Sequence, residues 1–551
     1  MFKKYNTNQV VLPLDFTLVI PENDIARLID SFIESIPDSE FEVFKHDRGA
    51  SSFHPRMMLK LLLCAYAQSI TSGRKIEGLM KDSIRMMWLA QGHEPSYRTI
   101  NRFRVDSRVL PLIQTCFIQL RSHLVETNQI TEEAIFIDGT KIEAAANKYT
   151  FVWKTAIEKN HKDLEKKFLE AYQTLVEQEI IPALERESDG ELSKEEIHTL
   201  TTRLTETVEQ YDEAIEQEPI GSVRKQLRSK RKLPKAQLKH FRSHQERVQK
   251  YEHQYRILGD RKSYSKTDTD ATFMRMKEDH MRNGQLKAGY NLQIATNNRY
   301  VLGYDLFANP TDTRTLHPFL ETLRAQFLPF PPYIVADAGY GSESNYRFFE
   351  DELPQQTPLI PYSTMIKEQS KKWQTDEKKV MNWDYFETDD YYVDPKGVRF
   401  NFNTYRTETD DYGFEREFKE YVAEAKDANQ KKLPEAFTPG GYRRKIKVNP
   451  SLEYFKAQQR DLLSAPETSA IYAQRKIDVE STFGHLKACL KWTRFSVRGK
   501  DKVKNEVGIA LMAVNMKKMM LNRQHESNTA KSSYKKTGIK IEKAILIPVF
   551  S

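Results

Sequence analysis

Two short apolar runs in this 551-residue chain each stop at an aspartate followed by small residues. The first is Ile135-Phe136-Ile137, ending at Asp138 before Gly139 and Thr140; the second is Ile334-Val335-Ala336, ending at Asp337 before Ala338 and Gly339. Runs of this kind read as buried strands. Each Asp then sits at the C-terminal tip of its strand, on the rim of a sheet, where a carboxylate reaches a metal from a rigid backbone. The plainer reading of Asp138-Gly139 is a turn, because Asp-Gly is a strong turn dipeptide. A third acid, Glu480, lies in a segment where Ile477, Val479, Phe483, Leu486 and Leu490 keep helical spacing. That spacing puts Glu480 and Lys487 two turns apart on one helix face. Two strand-tip Asp and one helical Glu are hard oxygen ligands of the kind that hold Mg²⁺ or Mn²⁺ against a phosphate. A pair of such ions activates an attacking water or hydroxyl and stabilises the leaving oxygen in phosphodiester displacement.

Positioning these acids takes a scaffold of more than one domain, and a chain of this length supplies it. Charged residues make up 29%, with net charge +8 and pI near 8.9. This modest excess is compatible with a polyanionic partner. Only Cys64, Cys116 and Cys489 occur, without CxxC spacing, which supports neither a disulfide framework nor a zinc site and fits a reducing cytoplasm. No apolar run reaches membrane-spanning length, and no signal peptide pattern opens the chain.

Near the N-terminus, residues 24–36 read as an amphipathic helix, followed by helices after Pro55, after Gly73 and after Ser96. In the last of these, Arg98 and Arg102 share one face while Ile100 and Phe103 point the other way. Such helices suit a helix-turn-helix-like DNA module, or a bundle with solvated arginines. Residues 155–260 carry no strand signal. Ile197, Leu200, Leu204, Val208, Tyr211 and Ile215 mark a coiled-coil-type seam, entered through a Ser193–Glu196 capping box, and Leu238, Phe241, Val248 and Tyr251 mark a returning helix. The turn and returning arm are basic from Arg224 to Arg247, including Arg228, Lys230, Arg231 and Lys232. A run like this is usually a solvated face, but one sign clustered at one end of a hairpin is better explained by phosphate contacts. Strands follow at 286–296 and 300–307, then a helix over 313–327, the Asp337 strand, a helix over 343–349 and a strand at 358–361. Asp312 reads as a cap for the 313–327 helix. Residues 365–450 are polar with short strands at 391–393 and 398–402, and residues 524–540 read as a flexible tail.

The three acidic segments resemble the acid triad of DDE transposases, and the whole chain resembles the IS1182 group of bacterial insertion-sequence transposases, related to the IS4 and IS5 families. The IS4-type signature is Tyr, two residues, Arg, three residues, Glu, six residues, Lys. Tyr472, Arg475, Glu480 and Lys487 match it, except that four residues separate Arg475 from Glu480. The resemblance implies an α/β chain with an RNase H-like catalytic core, acids on strand one, strand four and the last helix. It implies catalysis and metal binding by Asp138, Asp337 and Glu480, with two Mg²⁺ or Mn²⁺ ions. Lys487, Tyr472 and Arg475 would contact transposon-end DNA, and Arg98, Arg102 and the basic hairpin would bind DNA elsewhere. The implied partners are double-stranded end and target DNA and a second copy of the chain in a synaptic homodimer, in the bacterial cytoplasm at the nucleoid. Two rival readings are a nuclease of the same core that does not join strands, and a DNA-binding protein with a decayed core.

The expected organisation is an all-α N-terminal DNA-binding domain over residues 1–125, with the first part of the core over 126–154 and 262–364. A basic helical hairpin is inserted at 155–261 and a second, mixed β-containing insertion at 365–450. Core helices carrying the last acid span 451–522, and a flexible tail spans 523–551.

Overall fold

A computed structural model describes residues 19–45, 52–182, 192–276, 286–324, 330–426 and 431–537. The chain forms two compact units, one of Met1–Glu143 with Tyr290–Ser551, the other of Ala144–Gly289. The first unit opens with helices. Helix α1 (Ile25–Glu34) is capped by Asp24, whose side chain accepts from the Ala26 N–H at 2.9 Å, and it buries Leu28, Ile29, Phe32 and Ile33. Helix α2 (Pro55–Ala67) begins on Pro, which gives up no helical hydrogen bond in the first turn. Then come α3 (Gly73–Asp82), α4 (Ile84–Ala90), α5 (Tyr97–Arg104) and α6 (Val109–Glu126). Strand β1 spans Ala134–Glu143, so Asp138 lies in mid-strand, neither at a tip nor in an Asp-Gly turn.

The second unit begins with β2 (Phe151–Trp153), α7 (Lys154–Glu177), α8 (Lys194–Gln217) and α9 (Gly221–Leu258), then β3 (Ser263–Ser265), which pairs antiparallel with β2. The seam read from the sequence belongs to three helices. Phe168, Tyr172 and Leu175 of α7 pack with Leu200, Leu204 and Val208 of α8 and with Leu238 and Phe241 of α9. Ser193 and Glu196 do form a reciprocal capping box. The basic run is not a turn: Arg224 to Arg247 all lie along α9, which continues through Pro234. Strand β4 (Thr272–Arg275) pairs antiparallel with the first residues of β5 (Leu286–Asn297).

Back in the first unit, β5 forms a hairpin with β6 (Tyr300–Phe307). Asn298 and Arg299 turn it with φ of 46° and 61°, the left-handed pair that a two-residue hairpin of matching twist requires. A 3₁₀ turn at Asp312–Arg314 leads to α10 (Leu316–Arg324), β7 (Tyr333–Val335), α11 (Glu343–Glu352) and β8 (Thr357–Leu359). The sheet runs β6-β5-β1-β7-β8 in this unit, with β1, β7 and β8 mutually parallel. A second sheet follows, built from β9 (Asp384–Phe386), β10 (Tyr391–Val393), β11 (Arg399–Thr409), β12 (Glu415–Ala423) and β13 (Lys445–Val448). It is antiparallel in the order β13-β12-β11-β10-β9. The sequence offered two short strands here because β11 and β12 carry charged and polar residues on both faces, which erases the period-two signal.

The chain closes with α12 (Pro450–Ser464), α13 (Pro466–Gly484), a π turn at His485–Cys489 and α14 (Lys500–Thr537). Helix α14 packs on α1, α2, α6 and β6. It continues through Thr537, past residue 523 where composition alone read a tail, and residues 538–551 lie outside the described residues. Among the described residues no helix is long and apolar enough to cross a membrane.

Candidate active site

Strands β1 and β7 pair in parallel at Ala134↔Tyr333, Ile135↔Ile334 and Phe136↔Val335. Carried forward, the same offset sets Asp138 opposite Asp337. Strand β7 ends at Val335, which frees the flank of β1 where Asp138 stands. Asp138 is buried, and its Oδ1 accepts from the Gly139 N–H at 2.7 Å. Asp337 is half-buried, and its Oδ1 accepts from the Gly339 N–H at 2.8 Å. The glycines are there for close approach. A Cβ on Gly139 would lie 2.3 Å from Gln293 Nε2 and 2.6 Å from Asp312 Oδ1, and one on Gly339 would lie 2.9 Å from Asp337 Oδ1.

Asp312 is not the simple helix cap read from the sequence. Its Oδ1 accepts from Asn291 Nδ2 at 2.7 Å and Gln293 Nε2 at 3.0 Å, which draws the carboxylate against Gly139. Asn291 and Gln293 are fully buried and two apart on β5, hence on one face. Tyr340 completes this network by donating its hydroxyl to Gln293 Oε1. Burial first, then the charges of Asp312, Asp138 and Asp337, hold the Tyr340 hydroxyl well above its usual acidity range, so it stays a neutral donor. Sequence reasoning missed this network. Its signal was two amides alternating with apolar residues in a core strand.

Helix α13 presents Arg475 and Tyr472 to the acids. Arg475 Nη1 lies 3.5 Å from Asp138 Oδ2, and its guanidinium carbon is 5.9 Å from the centre of the Tyr472 ring. Burial raises the Tyr472 hydroxyl above its usual range, Arg475 opposes the shift, and Asp337 and Asp138 add to it. Glu480 is exposed and comes five residues after Arg475, about 140° further round an α-helix. Ile477, read as part of the apolar face, is 68% exposed, whereas Asp478 is buried with its Oδ1 accepting from the Arg299 N–H. Lys487 is half-buried within the π turn, so the two-turn alignment with Glu480, which assumed an unbroken α-helix, does not carry over. Among the described residues, no three His, Cys, Asp or Glu side chains are grouped to hold a metal ion.

The other cationic residues lie elsewhere. Arg98 and Arg102 are exposed on α5, where Arg74 and Arg98 flank the Tyr97 ring at 5.2 and 5.8 Å. In the second unit, Arg228, Lys230 and Lys232 are exposed on α9, while Arg231 forms an ion pair with Asp212 of α8.

Two family models match this chain. Residues 261–516 match a transposase DDE domain, and residues 15–106 match a second transposase domain, DUF772. Asp337 and Glu480 fall within the first, Arg98 and Arg102 within the second, and Asp138 within neither. The chain belongs to the DDE transposases, a class of enzymes whose substrate is DNA. The pairing of these two domains is typical of the IS1182 family. No curated protein and no solved structure matches the chain.

Proposed function

We propose that this transposase binds the terminal inverted repeats of a bacterial insertion sequence, cuts DNA there in a metal-dependent reaction and joins the freed 3′ ends to target DNA. One observation carries the reading: Asp138 on β1 and Asp337, two residues past the end of the parallel β7, stand at the same offset as the paired residues of those strands, beside glycines that leave no room for a side chain. The sheet order, third–second–first–fourth–fifth strand of its unit, supports an RNase H-like core. The donor chemistry fits a hard divalent cation. Asp138 and Asp337 would hold Mg²⁺ or Mn²⁺, with Glu480 as third ligand by family resemblance. A bound pair of ions would activate the attacking water or 3′ hydroxyl and stabilise the leaving oxygen.

The chain's own residues do the rest. Arg475 offsets the charge of Asp138 and, with Tyr472, lines the acids' edge, where a planar guanidinium can take two oxygens of a strand phosphate. Lys487 adds a point charge for the same strand. Arg98 and Arg102 of α5 contact end DNA, and Arg228, Lys230, Arg231 and Lys232 of α9 contact its backbone without reading sequence. A homodimer pairs the two ends in a synaptic complex at the nucleoid.

The test is an assay of purified full-length protein on candidate end duplexes with Mg²⁺. Cut ends joined to a second duplex support the proposal. Cutting without joining points to a nuclease, and binding without cutting to a decayed core.

A further inference from the structure

A cavity of about 280 Å³ opens between α13, its π turn, the β5–β6 turn and α14. Its wall carries basic side chains, Arg299 from the hairpin turn, His485 from the π turn, and Lys518 and His525 from α14. Lys518 Nζ and His485 Nε2 are both buried without a hydrogen-bond partner in the protein. Lys518 Nζ lies 3.8 Å from the centre of the Tyr300 ring, a contact that steadies a cation but offers it no acceptor oxygen. Asp478 faces this wall and attracts Lys518 across it, while its Oδ1 accepts from the Arg299 backbone N–H. Burial first, then the charge of Arg299, pushes the Lys518 ammonium down to about 7. Burial and Lys517 also lower His485. Burial thus disfavours the charged form of both groups, and an entering anion would favour it.

We propose that this cavity is a phosphate-binding site, taking either a phosphodiester group of bound DNA or a small phosphate anion. Arg299, His485 and Lys518 come from three different elements and line one cavity, so a single oxyanion there can meet donors from more than one element. The site is separate from the carboxylates of the sheet, but His485 shares its π turn with Lys487, five and seven residues after Glu480. An anion held by His485 therefore fixes the segment that carries Glu480 and Lys487. That consequence, and the DNA phosphodiester as occupant, rest on the transposition reading above; the cavity's affinity for phosphate does not.

The experiment has two arms on the full chain. In the first, thermal unfolding is compared in sodium phosphate and sodium chloride at matched ionic strength, for wild type and Lys518→Met. Methionine keeps an unbranched side chain, one heavy atom shorter, and removes the buried amine. Phosphate should raise the wild-type midpoint by several degrees and leave the variant unmoved. In the second, affinity for an end duplex is measured against salt concentration. If the occupant is a DNA phosphodiester, Lys518→Met lowers the slope of log K against log salt by about 1. A lost phosphate effect with an unchanged slope assigns the site to a small anion. Phosphate acting like chloride on wild type, or equally on both proteins, together with an unchanged slope, overturns the proposal. Arg299→Gln repeats both arms should Lys518→Met fail to fold. If the chain binds no DNA at all, the transposition reading fails while the first arm still decides the cavity.

Discussion

The two sheets of the first unit place polar residues differently. In β5, Asn291 and Gln293 are wholly withdrawn from solvent, and their amides are bonded to Asp312 and Tyr340. In the β9–β13 sheet, ion pairs range from the exposed Lys447 with Glu408 and the half-buried Lys419 with Asp390 to a buried Glu420 held by Arg406 and Lys445. A buried, satisfied network is rigid and costly to break, because each orphaned group loses both its partner and its water. Exposed ion pairs are screened and worth little singly. The first sheet joins its buried amide network to Asp312 and Tyr340, and Asp138 and Asp337 lie beside that network.

The strongest test of this contrast is neutralisation. Asp138→Asn, Asp337→Asn or Glu480→Gln should each lower cleavage by roughly 10³-fold, the scale of losing a principal electrostatic group, while end binding measured by gel shift persists. A variant cutting at the wild-type rate removes that residue from the site. Next is Gly139→Ala. Its methyl would meet Gln293 Nε2 at 2.3 Å and Asp312 Oδ1 at 2.6 Å. A clash of that kind in a packed interior should cost about 1–3 kcal/mol in urea unfolding and slow cleavage as well. Unchanged stability would mean the amide network yields easily, against the contrast drawn here.

Gln293→Leu strips the Tyr340 hydroxyl of its acceptor and Asp312 of one donor. The expected loss is about 1–3 kcal/mol, read by the same unfolding curve. If the variant matches wild type, the network is not what holds Asp312 against Gly139. The smallest effect belongs to the other sheet. Lys447→Ala removes a half-exposed partner of Glu408 and should change stability by no more than about 1 kcal/mol, with cleavage untouched. A larger loss would show that this surface also bears stability.

Much of the first sheet was legible because its strands carry apolar runs. Ile135-Phe136-Ile137 and Ile334-Val335-Ala336 announce buried strands, and the hairpin of β5 and β6 is marked by two apolar runs around a turn. The sheet at residues 384–448 was mostly illegible, since β12 carries Glu415, Arg416, Glu417, Lys419 and Glu420 and keeps no alternation to read. The third helix of the inserted unit was overlooked for a related reason. Phe168, Tyr172 and Leu175 form a narrow stripe in an otherwise charged helix, and only the neighbouring helices reveal that it is buried.

From the sequence alone came the strands leading to Asp138 and Asp337, the order of the core's strands along the chain, the capping of α5 and α8, and the basic character of α9, because these depend on local spacing and composition. Tertiary structure alone decided which side chains meet. It set Asp138 in mid-strand, because β1 extends beyond the end of its parallel partner. It turned Arg475 toward Asp138 and left Glu480 exposed, and it broke the helical register of Lys487 with a π turn. It brought Asp312 beside Gly139 through amides about twenty residues away in the chain. Such meetings depend on how strands pair and how helices rotate as they pack, and a local pattern of residues encodes neither.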